Sequence, residues 1–329
     1  MPSLPFDPDR RRALALAAGA ALLPAAGAVR AAPALDGPLT LVVPYAPGGA
    51  TDRVARLVGE RLQVRLGVNV IVDNRPGAGG RLAVQQVKRA SAEQNLVVLG
   101  NPALMVVAPV VFKDAGYDPE KDFAPLAHVH DYEFGVAVGP GVPVREFAHL
   151  VAWLKANPAQ ANFGVPATGS LPHFFALMIG EAVGVQAQII GYKGSGPLAN
   201  DLIGGSLPVA IDTFETLLPQ HQGGRIRILA VSSPQRLDYA KEVPTFREAG
   251  FPVEATGWNG FFAPAAMPAA KQKAISDAIR AVMLEPELQQ RFRSTNMTPV
   301  AHGAAETAKM LAAYRAQWLP VVKRSGFQP

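Results

Sequence analysis

The 329-residue chain contains no cysteine. That excludes a disulfide, a thiol nucleophile and a thiolate metal site, and it leaves no cysteine at a signal junction to carry a lipid. Charged residues are scarce, at 17 %, and are scattered along helix faces. Without a basic stripe, no nucleic-acid partner is expected. No P-loop lysine follows any glycine run, and no Gly-x-Ser-x-Gly elbow occurs, so a serine hydrolase of that type has no support. The uncharged run over residues 13–29 is too short and too rich in alanine to make a good membrane span of ~20 residues.

What the N-terminus does have is the pattern of a targeting segment. Arg10-Arg11-Arg12 precedes the apolar run, which is broken by Pro24 and followed by small residues that offer cleavage after Ala28 or Ala31. These are an n-region, an h-region and a small-residue processing site. Residues 1–31 are therefore read as a cleaved signal peptide that sends the chain to the periplasm. The arginine run suits the twin-arginine route as well as an ordinary Sec signal. Cleavage after Ala31 removes four arginines and two aspartates, which lowers the net charge from +5 to +3. The remaining length has room for two domains of ~150 residues, each with its own core.

The most informative stretch is Val42-Val43-Pro44-Tyr45-Ala46-Pro47-Gly48-Gly49-Ala50-Thr51-Asp52. An apolar strand through Leu41, Val42 and Val43 turns at the glycines into a helix with Val54, Leu57, Val58 and Leu62 on one face. A glycine-rich corner of this kind leaves the first N–H groups of the helix open to an anion. The arrangement returns in the second half of the chain. There a strand over 162–165 meets Pro166-Ala167-Thr168-Gly169-Ser170 and a helix bearing Phe174, Leu177 and Met178.

Strands are also expected over 68–72, 96–99, 188–191, 209–211 and 226–231. Helix faces are formed by Phe147, Leu150, Val151 and Leu154, by Ile275, Ile279 and Val282, and by Leu311, Tyr314 and Trp318. The alternation of strands and helices predicts parallel sheets covered by helices, an α/β fold. Two strand-like crossings, near 133–138 and 257–262, imply two domains joined by a hinge. Ligands of open α/β sheets sit in the cleft at the strand ends.

Several residues in this frame admit more than one role. Gly48 and Gly49 bring backbone within reach of a ligand oxygen or serve only the turn, and the matching loop at Thr168-Gly169-Ser170 favours binding. Neither loop has an arginine, so an anion would be gripped by backbone. Asp52 orders its loop, meets a ligand ammonium, or is an ordinary acid in a first helical turn. Asp212 ends a buried strand facing the cleft, where an acid disfavours a fully ionised ligand unless it is hydrogen-bonded away. Tyr45 is either cleft wall or core. His128 and His130 share one side of a strand, as metal ligands or, more often in such a setting, as structural residues. Gly194-Ser195-Gly196-Pro197-Leu198-Ala199 fits a dinucleotide fingerprint only formally, and export argues against it. No cofactor is expected.

Taken together, the segments 44–52 and 72–80 (Val72-Asp73-Asn74-Arg75-Pro76-Gly77-Ala78-Gly79-Gly80), Tyr192-Lys193-Gly194-Ser195-Gly196-Pro197, Asp201-Leu202-Ile203-Gly204-Gly205, Val243-Pro244-Thr245-Phe246-Arg247-Glu248-Ala249-Gly250 and Phe262-Ala263-Pro264 are distinctive. In this order and spacing the chain resembles the Bug-type solute receptors of tripartite tricarboxylate transporters over essentially its whole mature length. The resemblance implies a two-domain type II periplasmic binding protein fold with a hinge and an interdomain ligand cleft. The domains would be 38–133 plus 258–329, and 134–257.

It also implies a monomeric receptor, not an enzyme, that captures a small carboxylate (a dicarboxylate, a citrate-like acid or an aromatic acid) for membrane permease subunits. The ligand would be held by Pro47, Gly48, Gly49, Ala50 and Asp52 in one loop and by Ala167, Thr168, Gly169 and Ser170 in the other, with His173. Tyr45, Asn101, Tyr192 and Asp212 would line the cleft. The same fold also serves sensor partners of signalling systems and, less often, exported enzymes.

Overall fold

The computed structural model describes residues 35–192 and 194–327, and the signal peptide expected over residues 1–31 lies outside them. The first part of the chain forms β1 (Leu39–Val43), α1 (Ala50–Leu66), β2 (Val70–Asn74), α2 (Arg81–Lys88), β3 (Leu96–Gly100), α3 (Ala108–Val111) and β4 (Phe123–Val138). Next come α4 (Phe147–Ala156), β5 (Asn162–Val165), α5 (Leu171–Val183), β6 (Gln188–Gly191), α6 (Ser195–Ile203), β7 (Val209–Thr213), α7 (Phe214–Gln222) and β8 (Arg227–Val231). The chain then returns through β9 (Thr256–Pro264) and closes with α8 (Ala269–Met283), α9 (Pro286–Arg293), β10 (Thr298–His302) and α10 (Ala304–Arg324).

The strands hydrogen-bond in the order β2-β1-β3-β9-β4-β7-β5-β6, with β10 and β8 also on β4. Parallel pairing, the expectation from strand–helix alternation, holds at the two flanks, where β1 lies between β2 and β3, and β5 between β6 and β7. The centre is different. β3 meets β9 antiparallel, and β4 is antiparallel to β9, β7, β8 and β10. The reason is that β4 carries the chain from the first flank to the second and β9 brings it back, so these two long strands run in opposite senses.

β4 changes partners along its length. Its residues from Phe123 to Glu133 pair with β9, and those from Phe134 to Val138 pair with β7 and β8. The strand expected only over its last residues is thus 16 residues long.

Each element forms for a readable reason. In β1 the side chains of Leu39, Leu41, Val42 and Val43 are all buried, as in a strand covered on both faces. Helix α1 buries Val54, Ala55, Val58 and Leu62 at helical spacing and stops at Gly67, whose φ of 66° is a left-handed cap. On one side of the sheet α1 packs in a core with Ile275, Ile279 and Val282 of α8 and with Leu288 and Phe292 of α9. On the other, Ala83, Val84 and Val87 of α2 share a core with Leu311, Tyr314 and Trp318 of α10. Among the described residues no helix is long and apolar enough to cross a membrane.

Helix α10 is fixed to the crossing strands by aromatic contacts. Trp318 is fully buried and stacks on Tyr314 with ring centroids 5.8 Å apart, and the Tyr314 hydroxyl donates to the Thr256 carbonyl at 2.8 Å. Trp258 meets the edge of the same tyrosine at 6.0 Å. Trp318→Ala is expected to cost about 3–5 kcal/mol of unfolding free energy, read from the urea midpoint. A loss below about 1 kcal/mol would mean that α10 is not held by this contact.

Candidate functional site

A cavity of about 500 Å³ opens where β4 changes partners. Its walls come from both flanks of the sheet. Tyr45, Gly48 and Gly49 stand between β1 and α1, Ala50 and Thr51 open α1, and Asn101 and Ala103 follow β3. Tyr132 and Asn259 come from the crossing strands β4 and β9. Pro166, Ser170, Leu171 and Pro172 come from the β5–α5 corner, Ser195 opens α6, and Asp212, Thr213, Glu215 and Thr216 make the β7–α7 corner.

Four helices therefore begin at this wall, with Gly49, Ser170, Gly194 and Thr213 at their N-caps. None of these caps satisfies its helix with a side-chain hydrogen bond. The Ser170 hydroxyl is buried without a partner among the described residues, and the Thr213 hydroxyl is engaged with that of Thr216 at 2.8 Å. First-turn N–H groups left in this state, with the helix dipoles behind them, make a positive region without any charged side chain.

The two glycine loops share a construction. The Gly48 N–H donates to Asp52 Oδ2 at 2.9 Å, and the Gly169 N–H donates to His173 Nδ1 at 2.9 Å. In each, a left-handed glycine (φ 90° and 79°) turns its N–H onto a side chain four residues ahead. Asp52 also accepts from Arg56 Nε and Asn74 Nδ2, both at 3.0 Å. Burial pushes the Asp52 carboxyl up, but the hydrogen bonds from Arg56, Gly48 and Asn74 outweigh it and hold the group below its usual value. His173 is buried and stacked on Phe174, with Phe327 packed edge-on against both rings, and burial lowers it to about 4, so the ring is neutral and free to accept at Nδ1.

Of the residues singled out in the sequence, Tyr45, Gly48, Gly49, Ala50, Asn101, Ser170 and Asp212 come together around the cavity. Asn101 Nδ2 donates to Tyr45 Oη at 2.8 Å, and burial, only partly opposed by that bond, raises the phenol to about 12. The others stand away from the wall. Asp52 and His173 are turned inward to close their loops. Pro47 and Ala167 are exposed at the turns. Thr168 packs its hydroxyl against Gly191 at the end of β6, and Tyr192 donates to Asp201 Oδ2 at 2.8 Å. His128 and His130 diverge at a bulge in β4. His128 bonds Asp131 at 2.7 Å and lies 3.3 Å from His302, whereas His130 faces Asn259.

Asp212, singled out in the sequence, stands beside wall residues that the sequence reading missed, Tyr132, Glu215 and Asn259 among them. Asp212 Oδ1 accepts from the Thr213 N–H at 2.7 Å, while Oδ2 is buried with no partner within 3.5 Å among the described residues and the Ser195 hydroxyl is turned to the carboxyl. Burial raises this carboxyl to about 6, with the Ser195 hydroxyl and the Thr213 N–H opposing the shift and Glu215 adding to it. Glu215 is itself buried, with Oε1 unpartnered among the described residues and Oε2 3.7 Å from His130 Nε2. A polar chain leads there from α1. Thr51 Oγ1 approaches Asn259 Oδ1 at 3.4 Å, and Asn259 Nδ2 meets His130 Nδ1 at 3.0 Å, which leaves the ring proton on Nε2 facing Glu215. Arg53 is the one cation on the wall among the described residues, and it is exposed. Glu215 had a signal: it lies three residues after Asp212 at a strand-to-helix corner like the two already recognised.

The chain is similar to known proteins along most of its length. Residues 54–327 match the model of the tripartite tricarboxylate transporter family receptor. The chain is 34 % identical over 293 residues to a UPF0065 protein of Bordetella bronchiseptica, covering 89 % of this chain and 87 % of that protein. With protein BugT of Bordetella pertussis it shares 28 % identity, covering 88 % and 89 %. Among solved structures, Rpa4515 of R. palustris with adipate superposes with a TM-score of 0.82 at 29 % identity, over 88 % of this chain and 98 % of that one. The periplasmic binding protein BugD gives 0.79 at 28 %, over 89 % and 99 %.

The raised Asp212 carboxyl has a consequence for stability. Below its unfolded value of 3.8 it is protonated in both states, and above about 6 it is ionised in both, so the folded state loses stability as pH rises between those values. The difference of about two pKa steps is worth roughly 3 kcal/mol. Asp212→Asn is therefore expected to gain on the native protein by that order between pH 4 and pH 7.5 in urea unfolding. An equal difference at both pH values would remove the buried ionised carboxylate from this account.

Proposed function

Because the chain belongs to the tripartite tricarboxylate transporter receptor family, we propose that it is a periplasmic solute-binding receptor that captures a small carboxylate and presents it to membrane permease subunits. The fold is the α/β two-domain fold of periplasmic binding proteins. The observation that carries the reading is the set of four helix starts around one cavity, none capped by its own side chain. A carboxylate supplies the missing acceptors, and backbone donors hold it without ordering a flexible cation. Rpa4515, solved with adipate, supports this class of ligand at 29 % identity.

The same reading divides the chain into lobes of 38–133 plus 258–329, and 134–257, with the division of β4 between Glu133 and Phe134 as its support. The glycine loop before α1 belongs to the first lobe and the corners at α5, α6 and α7 to the second. A ligand touching both favours the closed arrangement by its differential contacts, and transport follows from that equilibrium, with no bond made or broken. The Gly48 and Gly169 N–H groups are already taken, so the donors offered to the carboxylate are those that follow them in the first turns.

Gly49→Asp separates binding from folding. Gly49 has an extended backbone (φ −77°), and an added Cβ meets nothing within 4 Å. Aspartate is also a favourable N-cap, so the fold is expected to stand. A carboxylate at a hundred times its dissociation constant adds about 2.7 kcal/mol to the native protein. That is a rise of roughly 5–10 °C in Tm. The variant, with a negative charge at the helix start, is expected to lose that rise while keeping its ligand-free Tm. Full retention of the shift would sink the helix-start grip.

A further inference from the structure

We infer that Arg145, Arg225 and Arg227 form a second anion site, away from the carboxylate cavity, which takes the phosphate group of a phosphomonoester. The three arginines are exposed and line one cavity of about 390 Å³. Local structure brings them together. Ile226 and Ile228 are buried, so the alternation leading into β8 turns Arg225 and Arg227 to the same outer face. Val138 at the end of β4 pairs with Arg227, and the loop that follows folds back on itself. There the Val142 N–H donates to the Gly139 carbonyl at 3.2 Å and the Val144 N–H to the Val142 carbonyl at 2.9 Å. Val142 and Val144 are buried by this turn, which leaves Arg145 outside and beside the other two. Gly223 and Gly224 carry no side chain to shade the cations, and a Cβ on Gly223 would stand 3.7 Å from Arg225 Nε.

Among the described residues no acid pairs with any of the three, although the arginines nearby in sequence are taken, Arg236 by Glu248 and Arg247 by Glu254. Residues 134–257 hold eight Lys and Arg against nine Asp and Glu, so the cluster is not the by-product of a basic chain. Like charges gathered in one concavity focus a positive potential there and call for an anion. The count of donors selects its kind. Three guanidinium forks match the three terminal oxygens of a phosphomonoester better than the two of a carboxylate, and arginine at all three positions favours such planar, bidentate contacts over a point charge. The cavity has room for the phosphate and a small organic group, with Pro140 and Pro143 as an apolar rim. The adjoining cavity shares Arg145 and Arg227 but adds Glu146 and Glu242, which border the site with negative charge and favour a compact anion over a long acidic segment. The place is separate from the carboxylate cavity. Phe134 of β4 pairs with Thr213 and Val138 with Val209, so the arginines stand at the other end of β7, ~13 Å away at four strand residues.

The test is calorimetric titration of the full mature chain at neutral pH and constant ionic strength with glycerol 3-phosphate, inorganic phosphate and a glutamate-rich peptide. Co-sedimentation with phosphatidylcholine vesicles, with and without phosphatidic acid, distinguishes a lipid headgroup from a soluble phosphomonoester. The native protein is expected to bind glycerol 3-phosphate, and the combined variant Arg145→Gln, Arg225→Gln, Arg227→Gln to bind it about tenfold or more weaker. A control variant, Arg65→Gln, Arg89→Gln, Lys309→Gln, removes the same charge from exposed positions on α1, after α2 and on α10. It is expected to keep the affinity within about twofold, because exposed charges beyond a Debye length are screened. Arg225→Gln alone gives the same comparison if the combined variant loses Tm.

Binding to the phosphatidic acid vesicles that the arginine variant loses assigns the site to a lipid headgroup, and binding of glycerol 3-phosphate without vesicle binding assigns it to a soluble compound. Equal affinity in the native protein and the arginine variant overturns the site. An equal loss in the control variant overturns it too, since the effect would then be one of net charge. Tighter binding of the peptide than of glycerol 3-phosphate overturns the phosphate assignment, and so does binding of none of the probes or vesicles. None of these outcomes depends on the carboxylate cavity, whose ligand the arginine variant is expected to bind as the native protein does.

Discussion

The exchange of partners along one strand organises this molecule. At Glu133 the backbone of β4 is paired with Thr256 of β9, and at Phe134 it is paired with Thr213 of β7. Every other strand takes its place from that exchange. β3 and β1 follow β9 outward on one side, and β5 and β6 follow β7 on the other. A gap opens at the exchange because neither neighbour spans it, and strand ends from both flanks face the gap. Helices in α/β folds start where strands end, so the convergence of four helix starts on one cavity is a consequence of the pairing.

Helix starts and buried acids then share a wall, and each moderates the other. The first-turn N–H groups lower the cost of holding Glu215 and Asp212 in a dry place, and the acids keep the region from being a general anion trap. The chain from Thr51 through Asn259 and His130 to Glu215 ties the two flanks across the crossing strands without a full ion pair. Selectivity in such a wall comes from which groups remain unsatisfied, more than from the number of contacts a ligand makes.

Much of this was legible in the sequence because the signals were local. The strands over 162–165 and 188–191 and the faces of α4, α8 and α10 follow from spacing alone, and the two glycine corners were visible as a pair. What was not legible depends on where side chains turn. Asp52 and His173 look like ligand groups by position, yet a hydrogen bond from a glycine four residues earlier points each of them back into its own loop. Thr168 and Tyr192 are likewise drawn to neighbours, Gly191 and Asp201, that no motif announces. Long-range pairing hid the rest. Tyr132 and Asn259 reach the cavity only through the register of β4 against β9. The short strand β10, with Pro299 within it, exists because β4 offers an edge at His130 and Asp131.

The chain contains three tryptophans, and two of them sit in the aromatic stack that joins α10 to the crossing strand. Trp258 lies within β9, close to the partner exchange, and Trp318 stacks on the tyrosine it touches. Both indole N–H groups are buried without partners among the described residues. Their surroundings are set by the bend of the crossing strands, while the cavity wall itself has no tryptophan. Intrinsic emission from these two rings is therefore a gauge of flexure. A compound that fills the cavity and leaves the crossing strands unmoved is silent to it, whereas one that bends them is seen through the protein's own built-in dye.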